Sequence, residues 1–219
     1  MLLMGSSAHA DRPDPGGPSS VRPFERHTQL RRKKRHPPVL SGFLVPHSQL
    51  REEPLPRPSG HLKLRAVNFR TEAEVDLYGP DGGYDDEALD TLNHLWRCRR
   101  TGTEKPIDPH LFEILSAIQD HFDGRTIELV SGFRNQKRTT SFHFHGSAAD
   151  IRIPGVSEKT LHSYVGTLDI GGMGLGRYPR AGFIHVDVRP EPSYRWTDYS
   201  APNENMGHPH RKRRKASNS

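Results

Sequence analysis

The chain has 219 residues, only 32% of them hydrophobic, with 19 prolines, 20 glycines and a formal net charge of +6. That length suits one ordinary domain with part of the chain left outside its core. No apolar run approaches the ~18 residues of a membrane-crossing helix, and the single cysteine, Cys98, excludes both an intramolecular disulfide and a thiolate zinc cluster. Residues 31–35 and 211–215 hold ten positive charges, which leaves the remainder at −4. The basicity therefore belongs to the two tails, and a folded nucleic-acid-binding face is not expected. No aromatics interleave with the charges as they do in single-strand binders.

In chain order, residues 1–10 are too short for a complete signal peptide, yet Ala8-His9-Ala10 has the small-x-small form of a cleavage site. An ordinary unstructured start fits equally. Ten of the 19 prolines precede Ser59, so residues 1–58 read as a disordered Pro-rich leader or linker. Residues 59–200 read as the folded domain, and 201–219 as a disordered basic tail. Residues 61–67 and 75–78 alternate as a hairpin before a Gly/Pro/Asp loop at 79–83. Asp85 or Asp86 caps a helix whose stripe is Leu89, Leu92, Leu95 and Trp96 and which ends near Arg99 and Arg100; His94 and Cys98 are structural there. Asp108-Pro109 starts a second helix with Leu111, Ile114, Leu115, Ile118 and Phe122 at helical spacing, stopped by Gly124.

Residues 126–130 are a short β-branched strand that delivers Ser131 and Arg134 at its end. His143 sits in a short aromatic segment, and 150–153 read as a strand. Ser157 caps a helix through Leu161, Val165 and Leu168. The glycine-rich run 171–176 lacks the strand-then-helix setting of a dinucleotide loop and reads as an edge strand. In 183–188, period two places Phe183, His185 and Asp187 on one face. The order predicts an α+β fold, a small, largely antiparallel sheet with packed helices.

His143, Asp150 and His185 offer two neutral imidazoles and a carboxylate, a catalytic zinc set that leaves one position for water. The same donors also accept other divalent ions.

The pattern Ser-x-His-x-x-Gly-x-Ala-x-Asp at 141–150 carries a resemblance. It is preceded by Ser-Gly-Phe-Arg at 131–134 and followed by Ile-Pro-Gly-Val at 153–156 and Phe-Ile-His-Val-Asp at 183–187. Together with Leu-Asn-His-Leu at 92–95 and Pro-Ile-Asp-Pro at 106–109, it resembles the zinc D-Ala-D-Ala carboxypeptidases and murein endopeptidases, most of all the murein endopeptidase K type. The resemblance implies a hedgehog/D-Ala-D-Ala peptidase-like fold, with His143, Asp150 and His185 holding one Zn2+ per chain. It also implies that Arg134 faces the substrate, where a guanidinium binds a carboxylate or steadies an oxyanion.

One departure is Gly182, which stands where better-known relatives carry a Glu or Asp three residues before the last ligand. Asp187 is then the first candidate for the general base, with a role in hydrogen-bonding a ligand or a substrate amide fitting equally; His145 is the other candidate, although an ordinary, partly exposed loop histidine is its plainer reading.

The expected function is a zinc metallopeptidase that cuts peptidoglycan stem peptides or cross-links, in the bacterial periplasm or secreted, as a monomer. The basic tails would meet an anionic envelope surface, although solvated arms or a nuclear-type signal also fit them. The alternatives are a non-catalytic zinc-containing wall-binding module of the same fold and a lytic amidase.

Overall fold

The structure, a computed structural model, describes residues 40–201. The elements are β1 (Leu40–Leu44), a 3-10 turn at His47–Gln49, β2 (His61–Ala66), β3 (Thr71–Asp76), α1 (Asp86–Leu95), α2 (Pro109–His121), β4 (Ile127–Ser131), α3 (Phe142–His145), β5 (Ala148–Arg152), α4 (Glu158–Gly166), β6 (Met173–Tyr178), β7 (Phe183–Val188) and β8 (Tyr194–Asp198). The cleavage-like motif at 8–10 and the cationic runs at 31–35 and 211–215 lie outside the described residues.

Local chemistry sets the helix starts. The Asp85 carboxylate accepts from Ala88 N at 2.8 Å, Asp108 accepts from His110 N at 3.0 Å ahead of Pro109, and Ser157 Oγ accepts from Thr160 N at 3.0 Å. Each takes up one of the N–H groups that a helix leaves without a partner. α1 stops at Leu95, short of the expected end, because Trp96 is fully buried at its C-cap and packs edge-on to Phe112 at 5.1 Å.

The strands form one sheet in the order β1-β8-β6-β7-β5-β4-β2-β3; β2–β4 and β6–β8 are parallel and the other five pairings antiparallel. Eight strands make this larger than the small sheet expected. β1 falls in the span read as leader; all five of its residues are exposed, and ladder pairing to β8, Leu40↔Asp198 through Leu44↔Tyr194, holds it in place. β6 is a correction to the edge-strand reading: it lies inside the sheet, between β8 and β7.

One face of the sheet carries the core. Leu62, Leu64, Ile151, Ile184 and Val186 pack in one cluster with Leu111, Leu115 and Ile118 of α2 and Leu161 and Val165 of α4. Arg195 of β8 reaches toward α4, donating to Gly166 O at 3.2 Å and pairing with Asp169 at 2.8 Å. Tyr194 and Trp196 therefore point to the opposite face, where the polar residues of β5 and β7 also point.

Candidate metal centre

The polar face is organised by register. Asp150 of β5 lies directly opposite His185 of β7, so two donors arrive side by side from neighbouring strands. On the other flank, β4 takes two steps where β5 takes one: Leu129 pairs with Ile151, but Ser131 pairs with Asp150. This bulge swings Ser131 onto the polar face in place of Val130, and the carbonyl of Val130 is taken up by Asn68 Nδ2 at 2.7 Å. Ser131 Oγ then accepts from Arg134 Nε at 2.9 Å. His143 comes from α3, a single turn ended by Gly146 at φ 78°, where a side chain would press on the Pro106 carbonyl.

His143, Asp150 and His185 are all buried, and one ligand atom from each lies within 4.8 Å of the others. His143 Nε2 is 3.2 Å from His185 Nδ1 and 3.3 Å from Asp150 Oδ1, and His185 Nδ1 is 2.8 Å from that same oxygen. A tetrahedral ion with bonds of about 2.0–2.1 Å sets its ligand atoms about 3.3 Å apart, so the triangle has the right size for one.

The outer hydrogen bonds fix which nitrogens face inward. His143 Nδ1 meets Gly132 O at 2.8 Å, and a carbonyl can only accept, so the hydrogen is on Nδ1. His185 Nε2 meets Asp187 Oδ2 at 2.8 Å, so its hydrogen lies there. Three lone-pair atoms thus converge, an arrangement that is costly without a positive charge between them.

Burial and the close partners set the titration directions of the three donors. Burial, reinforced by the Arg134 charge, holds the His143 imidazole below its ordinary range. Burial lowers His185 too, but hydrogen bonds and charge from Asp150 and Asp187 outweigh it and raise the imidazole. Burial would raise Asp150, yet the charges beside it, of His143 and Arg134, hold it well below the usual carboxylate range. Arg134 supplies positive charge at this spot: one guanidinium nitrogen is 2.5 Å from both His143 Nε2 and Asp150 Oδ2, while its side chain is 33% exposed.

Asp187 lies behind His185, away from the convergence, and is fully buried. Its oxygens accept from His185 Nε2 and from Arg189, Nε at 2.6 Å and the terminal nitrogen at 2.5 Å. Burial would raise its carboxyl, but these partners hold it below the usual range. Both carboxylate oxygens of this first candidate for the general base therefore already hold partners. His145 is exposed at the end of α3, its ring against Phe144. Gly182 sits in the β6–β7 turn at φ 69°, its N–H bonded to Tyr178 O at 2.9 Å.

Sequence reasoning missed Arg189, whose guanidinium also lies 4.4 Å over the Phe142 ring; extending period two from His185 and Asp187 by one step would have found it. It also missed what the glycines of β6 accommodate. Gly174 faces Asp187 across β7, and a methyl there would run into the Asp187–Arg189 pair; a methyl at Gly176, opposite His185, would run into the Trp196 indole. A separate cavity of about 830 Å³, lined by Leu55, Tyr78, Tyr84, Glu113 and Ile170 among others, contains none of the three donors.

A family model described as peptidoglycan L,D-endopeptidase MepK matches residues 57–194. The peptidoglycan L,D-endopeptidase MepK of Escherichia coli K12 is 31% identical over 166 residues, 69% of this chain and 88% of that protein, and that of Shigella flexneri matches equally. The probable peptidoglycan L,D-endopeptidase MepK of Haemophilus influenzae is 31% identical over 168 residues, 69% of this chain and 87% of that protein. No solved structure gives a significant match. With most of its folded part matched, and matched to nearly the whole length of these relatives, the chain belongs to the peptidoglycan L,D-endopeptidase MepK family.

Proposed function

We propose that the chain is a zinc-dependent endopeptidase that hydrolyses peptide bonds in peptidoglycan stem peptides or cross-links. The observation that carries this is the convergence of His143 Nε2, Asp150 and His185 Nδ1, with both imidazoles turned inward by hydrogen bonds on their far sides. His143, Asp150 and His185 would hold a zinc ion, which would supply Lewis acidity and lower the pKa of a water to about 7.

The protein's own part is placement and charge. Gly132 O and Asp187 keep the two rings in the ligand tautomer, and Arg189 keeps Asp187 ionised behind them. Arg134, braced by Ser131 and open to solvent on one side, binds a substrate carboxylate or steadies the oxyanion that forms on the scissile carbonyl. Of the two residues considered for moving the proton, Asp187 is committed to His185 and Arg189, and the role passes to exposed His145. The relatives act on peptidoglycan by their names, which fits an envelope location; the basic runs would add attraction to its anionic surface.

A second reading, a zinc-holding wall-binding module without hydrolysis, is favoured by Gly182, a turn glycine where a base would stand. Digestion of purified murein, with fragments identified by mass spectrometry, separates the two. Fragments cut within stem peptides or cross-links, lost together with metal in His185→Ala, support the peptidase; intact murein from metal-loaded protein refutes it.

A further inference from the structure

The row that carries the metal donors continues beyond them. Asp150 pairs with His185, His185 with Gly176, Gly176 with Trp196 and Trp196 with Gly42, so one line of facing residues crosses from β5 to the sheet edge at β1. Its two glycines make room that neighbours fill: the Trp196 indole takes the space a side chain at 176 would need, and the Tyr194 ring takes the space at 42. The Trp196 ring lies 5.1 Å from the His185 ring and 5.9 Å from that of Tyr194, forming a continuous aromatic strip. The indole is pinned, because Nε1 donates to the Tyr178 hydroxyl at 3.1 Å and Tyr178 stacks on Phe183 at 4.5 Å. Past the strip, Leu40 and Leu44 share this face through their pairing with Asp198 and Tyr194, and they are 58% and 61% exposed.

We propose that the outer end of this strip, Tyr194 with Leu40 and Leu44, is a saccharide subsite for the glycan-bearing arm of the substrate whose peptide lies at the metal centre. The proposal rests on the peptidoglycan reading above. Strands are spaced about 4.8 Å apart, so His185 to β1 spans about 14 Å. An extended peptide of four residues covers about 13–14 Å. A stem peptide lying along the row from the metal centre therefore delivers its sugar to the β1 edge. Aromatic and aliphatic surface there suits the C–H face of a pyranose, and the Tyr194 hydroxyl and Asp198 suit its hydroxyl groups. Leu40, Leu44 and Trp196 all lie outside the span 57–194 that the family model matches.

The test compares a cross-linked muropeptide dimer that bears its disaccharides with the same dimer after an N-acetylmuramoyl-L-alanine amidase has removed them. The metal-loaded chain should show a KM about tenfold lower with the sugars on, and Leu44→Asp, a change at an exposed position, should bring that ratio close to one. Equal KM values on the two dimers overturn the proposal, as does a ratio unchanged in both Leu44→Asp and Tyr194→Ala. A rise in KM that is equal on both dimers also overturns it, because the strip then reads peptide.

A second measurement needs no hydrolysis. The chain has two tryptophans, and Trp96 is fully buried, so a change in intrinsic fluorescence on titration with the free disaccharide reports on Trp196. A saturable change that is lost in Leu44→Asp supports the subsite, and no change through the millimolar range overturns it. Saturable binding with neither dimer cut would leave the subsite standing and remove the peptidase reading; cutting without sugar preference would do the reverse.

Discussion

Replacing Asp187 by Asn separates a proton-moving role from a ligand-holding one. The carboxylate is fully buried, accepts from His185 Nε2 at 2.8 Å and takes two hydrogen bonds from Arg189, whose side chain is only 16% exposed. The amide keeps the shape and can still accept from His185, but one of its ends now donates and must oppose the guanidinium. Two costs follow. A buried cation loses its counter-charge, which costs about 3–5 kcal/mol when one partner of a buried pair is removed. For a domain of this size that corresponds to a fall in Tm of at least about 6 °C. The orienting bond to His185 also weakens, and losses of this kind lower metal affinity about 10–100-fold, or about 1.4–2.7 kcal/mol. Competition with a chromophoric chelator reads the affinity, and a melting curve of the metal-free chain reads the stability. If metal affinity and Tm both stay at wild-type values while hydrolysis vanishes, Asp187 is the base and the placement argued here is wrong.

Arg134→Gln should give the opposite pattern: metal content held or increased, because a competing cation leaves His143 and Asp150, with kcat reduced about 10²–10³-fold in a murein digestion assay. Gly176→Ala should displace the indole it would touch, costing about 1–3 kcal/mol in chemical denaturation and shifting tryptophan emission to the red, with buried Trp96 contributing little to the shift. His162 makes acid sensitivity testable. Burial, aided by the charges of Arg195 and Arg177 against the opposing pull of Glu158, pushes its imidazole down to about 4. Its folded pKa is thus below the unfolded value near 6.5, so the stability tied to its neutral form is complete above that value and is lost as pH falls from about 6.5 toward 4. His162→Gln should lose less stability than wild type between pH 7 and 4.5 in urea titrations; equal losses would show that the site is not what the acid acts on.

The parts legible in the sequence are those whose cause is local or periodic. Asp85, Asp108-Pro109 and Ser157 mark the helix starts because a cap needs only its own next three residues. His143, Asp150 and His185 could be named together because the spaced pattern around them is dense. What escaped depends on partners distant in sequence. β1 has no buried face, so it shows no alternation, and only its pairing with a strand some 150 residues later makes it a strand. The bulge at Val130 is visible only once β5 lies beside β4. Arg189 escaped too, because only the folded strand shows that it takes the second oxygen of Asp187.

The glycines of β6 join these two kinds of knowledge. A strand that turns His185 and Asp187 onto one buried face must bring each a partner, because an unpaired polar group there costs several kcal/mol. Asp150 serves one side of His185 at no cost in space, since β5 already lies in register. The other partners are large: the Arg189 guanidinium lies over Gly174 and the Trp196 indole over Gly176, both on the strand next to β7. A side chain at either position would expel the group that satisfies or shields the donor opposite. The Gly-x-Gly at 174–176 therefore belongs to the candidate metal centre as much as its three donors do. Glycine weakens a strand through backbone entropy, and here the loss is offset by pairing on both edges, which requires β6 to lie inside the sheet.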